Sequence, residues 1–174
     1  LEEWKPLLLW HMTRDEFLLR DFLQHWLFRA FDEGAFRIKS DSLLEYLRRI
    51  GSRGGQTEHA WKEVTLQRVA AGLLKIATDF GLLRGTMTKE FASYHLPDRS
   101  FLYLLHAIRD EVRSPGKILA APDWRMFLMR PDEIEREVLR LHQFRKLDYQ
   151  VAGSLVQLSL PCASSDEFAA KMVA

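Results

Sequence analysis

The stretch from Thr57 to Pro97 constrains the fold more than any other part of the chain. Leu66, Val69, Ala70, Leu73, Ile76, Ala77 and Phe80 recur at steps of three and four, which places them on one stripe of an α-helix. Gly81 follows directly, as suits the position just past a helix end, where a positive φ is wanted. Leu82-Leu83-Arg84 and Lys89 to Leu96 then flank a turn at Gly85-Thr86, the pattern of a β-hairpin. A helix running straight into a hairpin is the order of a winged helix-turn-helix domain, where a helix can enter a DNA groove beside the hairpin. Trp61 and Val64 fall off the stripe, so the helix is expected to start near Thr65 with that hydroxyl as its N-cap. Its outward face is then Arg68, Ala71, Gly72 and Lys75: two cations with two small residues between them, open to close approach by something large. An ordinary solvated face has the same composition, so this face alone decides nothing.

Charge distribution adds weight. The net charge of the 174 residues is only +1, and no global field calls for nucleic acid. Residues 1–47 net −3, residues 48–89 net +5, and residues 90–174 net −1. The basic region therefore coincides with the helix-hairpin stretch, as a local phosphate-binding face requires. Arg48-Arg49-Ile50-Gly51-Ser52-Arg53-Gly54-Gly55 reads as a loop in which guanidinium forks and free backbone N–H groups form a phosphate clamp. It is not a nucleotide-binding P-loop, since no Gly-Lys-Ser/Thr follows at the required spacing. The candidate contacts are Arg48, Arg49 and Arg53 in the loop, Lys62, Gln67, Arg68 and Lys75 on the helix, and Arg84 and Lys89 on the hairpin.

Elsewhere the pattern is helical. Trp4, Leu8 and Met12 share a helix face, and Thr13-Arg14-Asp15-Glu16 reads as a capping box opening a core helix to about Phe31. Ser42-Leu43-Leu44-Glu45 opens another to about Ile50. After Pro97 come a helix over 101–112, short pieces around Pro122, a helix from Pro131 to about Lys146 and a hairpin over 148–161 turning at Gly153-Ser154. Helix, hairpin and Leu-Pro thus recur. The expected fold is mainly α with short β-hairpins, in tandem winged helix-turn-helix-like modules: 1–97, 98–161, and a tail over 162–174.

Trp4 to Trp10 (WKPLLLW), Trp61-x3-Thr65-x2-Arg68, Asp79-Phe80-Gly81-Leu82-Leu83 and Tyr149-x2-Ala152-Gly153 together resemble the BrxA family of BREX bacteriophage-defence systems. The resemblance implies a small, non-enzymatic bacterial protein that binds double-stranded DNA and is encoded beside a methyltransferase and a large ATPase. Other proteins of the same system are then further partners. The family has also been described as an inner-membrane protein of unknown function. The apolar runs here, such as Val69 to Leu74, are far short of the ~20 residues that a membrane span needs.

Catalytic and metal-binding patterns are missing from the sequence. The six histidines, His11, His25, His59, His95, His106 and His142, have no His or Cys at metal-ligand spacing and read as surface or core-edge residues. Glu133, Glu135 and Glu137 scatter around their helix, and no G-x-S-x-G nucleophile motif occurs. The single Cys162 excludes an intramolecular disulfide, as suits a reducing cytoplasm. The expectation is a cytoplasmic protein with no metal or cofactor that contacts the DNA backbone. The alternative is an assembly adaptor that binds other proteins of the system, for which the mixed charges of Glu135, Arg136, Glu137 and Arg140 speak. RNA binding lacks the aromatic and basic interleaving that an exposed RNA-binding sheet shows.

Overall fold

The computed structural model describes residues 2–53 and 61–173, the side chains of residues 51–53 excepted. The chain is mainly helical with two small antiparallel hairpins. Its helices are α1 (Trp4–Asp15), α2 (Phe17–Asp21), α3 (Phe28–Asp32), α4 (Leu44–Arg53), α5 (Glu63–Asp79), α6 (Asp98–Glu111), α7 (Pro115–Leu119), α8 (Pro131–Gln143) and α9 (Ser165–Val173). A π-helical stretch (Phe22–Leu27) joins α2 to α3, and 3-10 turns occupy Ser40–Leu43 and Pro122–Phe127. Strands β1 (Leu83–Arg84) and β2 (Glu90–Phe91) form the first hairpin, and β3 (Asp148–Ala152) and β4 (Leu155–Ser159) the second.

The chain folds as two compact units, Phe17–Tyr94 and a second that joins Leu1–Glu16 to His95–Ala174. The division differs from the expected one of 1–97, 98–161 and tail. The first helix, α1, belongs with α6 and packs on it; Leu7, Leu9 and Trp10 are buried, and Trp10 donates its indole N–H to Asp123 at 2.9 Å. Trp4, Leu8 and Met12 share a face of α1 as expected, and that face is largely outward: Trp4 is 43% and Leu8 56% exposed. The capping box at Thr13 is also not formed. Thr13 is fully buried inside α1, and its hydroxyl donates to the Trp10 carbonyl at 2.6 Å instead of capping a new helix.

In the unit Phe17–Tyr94, Leu19, Phe22, Leu23 and Leu27 are buried along the long first helix, and Trp26 stacks on Phe22. Helix α4 buries Leu47 and Ile50, and α5 buries Leu66, Ala70, Leu73, Leu74 and Ala77, close to the apolar stripe that the spacing predicts. Burying each Leu stabilises by roughly 1.5–3 kcal/mol relative to leaving it in water. Ile38 exchanges two backbone hydrogen bonds with Lys89, 2.8 Å each, so the chain ahead of α4 pairs with the hairpin's second arm. The helix start is corrected from Thr65 to Glu63. The N-cap residue is Lys62, in extended conformation, and its carbonyl accepts the first helical hydrogen bonds from Thr65 and Leu66.

In the other unit α6 is the core helix, with every residue from Ser100 to Ile108 buried. Trp124 stacks on Phe101 at 4.7 Å and donates its indole N–H to the Ile118 carbonyl. Ile134, Val138 and Leu141 pack inward from α8. Within the stretch expected as a tail, α9 packs on α6 and buries Phe168 and Met172. His106, expected at a surface or core edge, is fully buried. Its Nδ1 lies 2.6 Å from the Leu102 carbonyl and its Nε2 accepts the Cys162 N–H at 3.2 Å, so the ring is neutral with its proton on Nδ1. Burial pushes its pKa down from the ordinary imidazole value.

Both units close a helix onto a hairpin with the same hydrogen bonds. After α5, the N–H groups of Phe80, Gly81 and Leu82 donate to the carbonyls of Ile76, Thr78 and Ala77. After α8, those of Phe144, Arg145 and Lys146 donate to Arg140, His142 and Leu141. Each is a Schellman cap with one left-handed residue: Gly81 at φ +81° and Arg145 at φ +56°.

Candidate nucleic-acid interface

The outward face of α5 is built as its sequence predicts. Arg68, Ala71, Gly72 and Lys75 are all exposed, while the opposite face fills the core. Arg68 and Lys75 lie seven residues apart, two turns along one face, or about 10 Å along the axis. A side chain at Gly72 would meet nothing within 4 Å, so the flat spot between the two cations is not demanded by the protein's own packing. Arg68 has no carboxylate partner among the described residues, and Lys62 likewise stands unpaired at the N-cap.

The other candidate residues are more engaged than their sequence positions imply. Arg48 and Arg49 do not lie in a loop. They sit on α4, which runs on to Arg53, because the apolar spacing of Leu43, Leu47 and Ile50 continues a helix there. The side chain of Arg53, with Gly54 and Gly55, lies outside the described residues. Arg48 pairs with Glu63 at 2.9 Å, at the first turn of α5, and Arg49 with Glu45 at 2.8 Å along its own helix. Gln67 donates to Asp41 at 2.9 Å. Lys75 pairs with Asp79 at 2.5 Å and Arg84 with Glu90 across the hairpin at 3.5 Å. Lys89 donates from its ammonium to the Gly85 carbonyl at 2.7 Å, tying the hairpin turn together. These ion pairs are exposed, and each contributes only ~0–1 kcal/mol, so a phosphate can replace the carboxylate at small cost.

Folding also brings up residues that the linear reading passed over. Ile38 is buried against Lys89, and its neighbours Arg37 and Lys39 are exposed on either side of it. Arg37 lies over the ring of Phe36, which is 71% exposed. Their signal in the sequence was the alternation Arg-Ile-Lys, which reads as a short strand with one buried residue. The pairing that sets them beside the hairpin spans 51 residues and no local pattern encodes it. The unit Phe17–Tyr94 carries twelve Lys and Arg against nine Asp and Glu, a net of +3, while the other unit nets −2.

Among the described residues, no group of three or more His, Cys, Asp or Glu is placed to hold a metal ion. Within the same residues, no helix is long and apolar enough to cross a membrane. No curated protein and no solved structure matches the chain. A family model does match, over residues 1–107, which takes in α1, the whole of the unit Phe17–Tyr94 and most of α6. That is more than half of the chain, including the face of α5 and its hairpin, and it makes the chain a member of the BrxA family, which is associated with BREX phage defence.

Proposed function

We propose that the protein is a non-enzymatic, cytoplasmic DNA-binding component of a BREX system, and that the unit Phe17–Tyr94 holds the backbone of double-stranded DNA. The order of elements in this unit supports reading it as a winged helix: a long helix, the paired residue Ile38, α4, α5 and the β1–β2 hairpin. In this reading α5 faces the duplex and the hairpin is the wing. The α8–hairpin segment of the other unit, within residues 98–161, is a second, modified module.

One observation carries the reading: Arg68, unpaired and exposed, stands on the same helix face as Ala71, Gly72 and Lys75. Small residues let phosphates approach, and the flanking cations at Lys62, Arg84 and Lys89 widen the contact. Such binding depends on salt, because each neutralised phosphate releases counterions. A gel-shift titration with a mixed-sequence duplex should show retardation at low salt that fades steeply as salt rises. Arg68→Ala combined with Lys62→Ala should weaken every duplex alike and lower the salt slope by about 2. Retardation unchanged in this double variant sinks the assignment of the face.

A second reading rests on the other unit. Its α8 and second hairpin expose Leu139, Phe144, Val151 and Leu155, and α8 carries the mixed charges of Glu135 and Arg136. Exposed apolar side chains of this kind favour contact with a protein. Co-purification with another protein of the system that withstands nuclease and high salt would support an adaptor role, and its loss on nuclease treatment would count against it.

A further inference from the structure

We propose that the cleft where α8 meets the β3–β4 hairpin is a binding site for a phosphate group, with Arg145 as its anchor. The cleft measures about 650 Å³ and is lined by His142, Arg145, Lys146, Asp148 and Ser159, among others. That is within the range of small-ligand sites.

Arg145 is one of two non-glycine residues with positive φ among the described residues. Its counterpart in the other unit, at the same step of the same Schellman cap, is Gly81, where a side chain would meet nothing within 4 Å. Local structure therefore asks for glycine at this step, and an arginine there bears a conformational penalty that its backbone hydrogen bonds do not explain. A strained position held by a charged side chain at the rim of a cleft points to a ligand.

The Arg145 guanidinium has no hydrogen-bond or ion-pair partner among the described residues. His142 accepts the Tyr149 N–H on Nδ1 at 3.2 Å, so its neutral ring carries the proton on Nε2 and offers a second donor. Ser159 stands opposite Asp148 in the hairpin register, and its hydroxyl is unpartnered among the described residues. Lys146 is committed to Asp98 at 2.7 Å. A guanidinium fork, an imidazole N–H and a hydroxyl around one cleft are the donors that recognise phosphate oxygens.

Two features oppose an anion and are outweighed. The C-terminal end of α8 presents the negative end of a helix dipole, equivalent to roughly half a charge, and its last carbonyls are already bonded within the cap. Asp148 lies 3.7 Å from His142, but its side chain is 74% exposed and screened by water. Arg145 brings a full, uncommitted positive charge.

The test follows backbone amides of residues 142–149 and 157–161 by NMR while inorganic phosphate, deoxyadenosine 5′-monophosphate, deoxyadenosine or a short duplex is added. Phosphate and the nucleotide should shift these amides, and the nucleoside should not. Arg145→Asn keeps a residue tolerant of the left-handed conformation and removes the charge, and should weaken nucleotide binding about tenfold. Arg145→Lys should restore part of it. If the duplex alone shifts the cleft, the phosphate comes from a nucleic-acid strand; if only the mononucleotide does, it comes from a free nucleotide. Silence from all four, or binding unchanged in Arg145→Asn, overturns the proposal. Gel retardation through Arg68 is a separate readout, so loss of one leaves the other standing.

Discussion

The segments from α5 to β2 and from α8 to β4 start alike and end differently. Both helices end in a phenylalanine, a left-handed residue and a Schellman cap, and both lead into an antiparallel hairpin. At the residue after the left-handed one they part. Leu82 is fully buried and anchors the first hairpin to its core, whereas Lys146 is exposed and pairs with Asp98. The first hairpin has strands of two residues and a turn closed by Lys89, while the second has strands of five residues joined by the two-residue turn Gly153-Ser154, with Val151 and Leu155 exposed. Their helices differ too, in that α5 presents small and basic residues outward and α8 presents mixed charge with Leu139. A shared backbone device has been put to two surface chemistries, so backbone likeness is no guide to shared binding.

The two closures differ most at the residue after the cap. Leu82→Ala should cost about 2–4 kcal/mol in chemical denaturation, from lost burial and the cavity left behind. Lys146→Ala should cost no more than about 1 kcal/mol, as expected for a mostly exposed pair. Equal losses would erase the difference between the two closures.

The turns come next. A side chain at Gly85 would place its Cβ 2.3 Å from the Thr88 carbonyl oxygen, and φ there is +105°. At Gly153 φ is +61° and the space is open. Gly85→Ala should therefore cost about 2–3 kcal/mol and Gly153→Ala about 1 kcal/mol, read as shifts in thermal midpoint.

A smaller effect tests the two caps against each other, and its sign matters more than its size. Gly81→Ala should destabilise by about 1 kcal/mol, since alanine must enter the left-handed region. Arg145→Gly should stabilise by about 0.5–1 kcal/mol, because relief of that penalty exceeds the entropy glycine adds to the unfolded chain. Destabilisation in Arg145→Gly would show that the arginine supports the fold.

The smallest effect concerns pH and belongs to one unit. His106 is neutral and buried, with its pKa pushed below the ordinary value near 6.5. In the unfolded chain it takes up a proton at about that pH, while in the folded chain it resists. Stability from this residue is therefore complete above pH 6.5 and is lost as pH falls below it, toward the folded value. Hydrogen exchange of the α6 amides should quicken from pH 7 to pH 5, after correction for intrinsic rates, and His106→Gln should flatten that trend.

Much of this was legible in the sequence. The stripe over 66–80, the glycine after it, the basic face of Arg68 and Lys75 and both hairpin turns are local patterns, and local patterns survive into the fold. What misled were residues whose neighbours are distant in sequence. Thr13 has the spacing of a cap but lies deep in a core, and Arg48 precedes a glycine-rich run but continues a helix. Of the eight candidate cations, four are held by carboxylates, Arg48 by Glu63, Arg49 by Glu45, Lys75 by Asp79 and Arg84 by Glu90, while Asp41 accepts from Gln67.

The amino-acid order by itself determined the helix-to-hairpin elements and which face of α5 turns outward. Both follow from periodicity and from backbone rules that act within a few residues. Only the tertiary structure decided that α1 joins the C-terminal half, that Ile38 pairs with Lys89 and that Arg68 stays free while the adjacent Gln67 is held by Asp41. The physical reason is that burial and ion pairing depend on what lies nearby in space, and in this chain the deciding partners lie up to 113 residues away, as between Trp10 and Asp123.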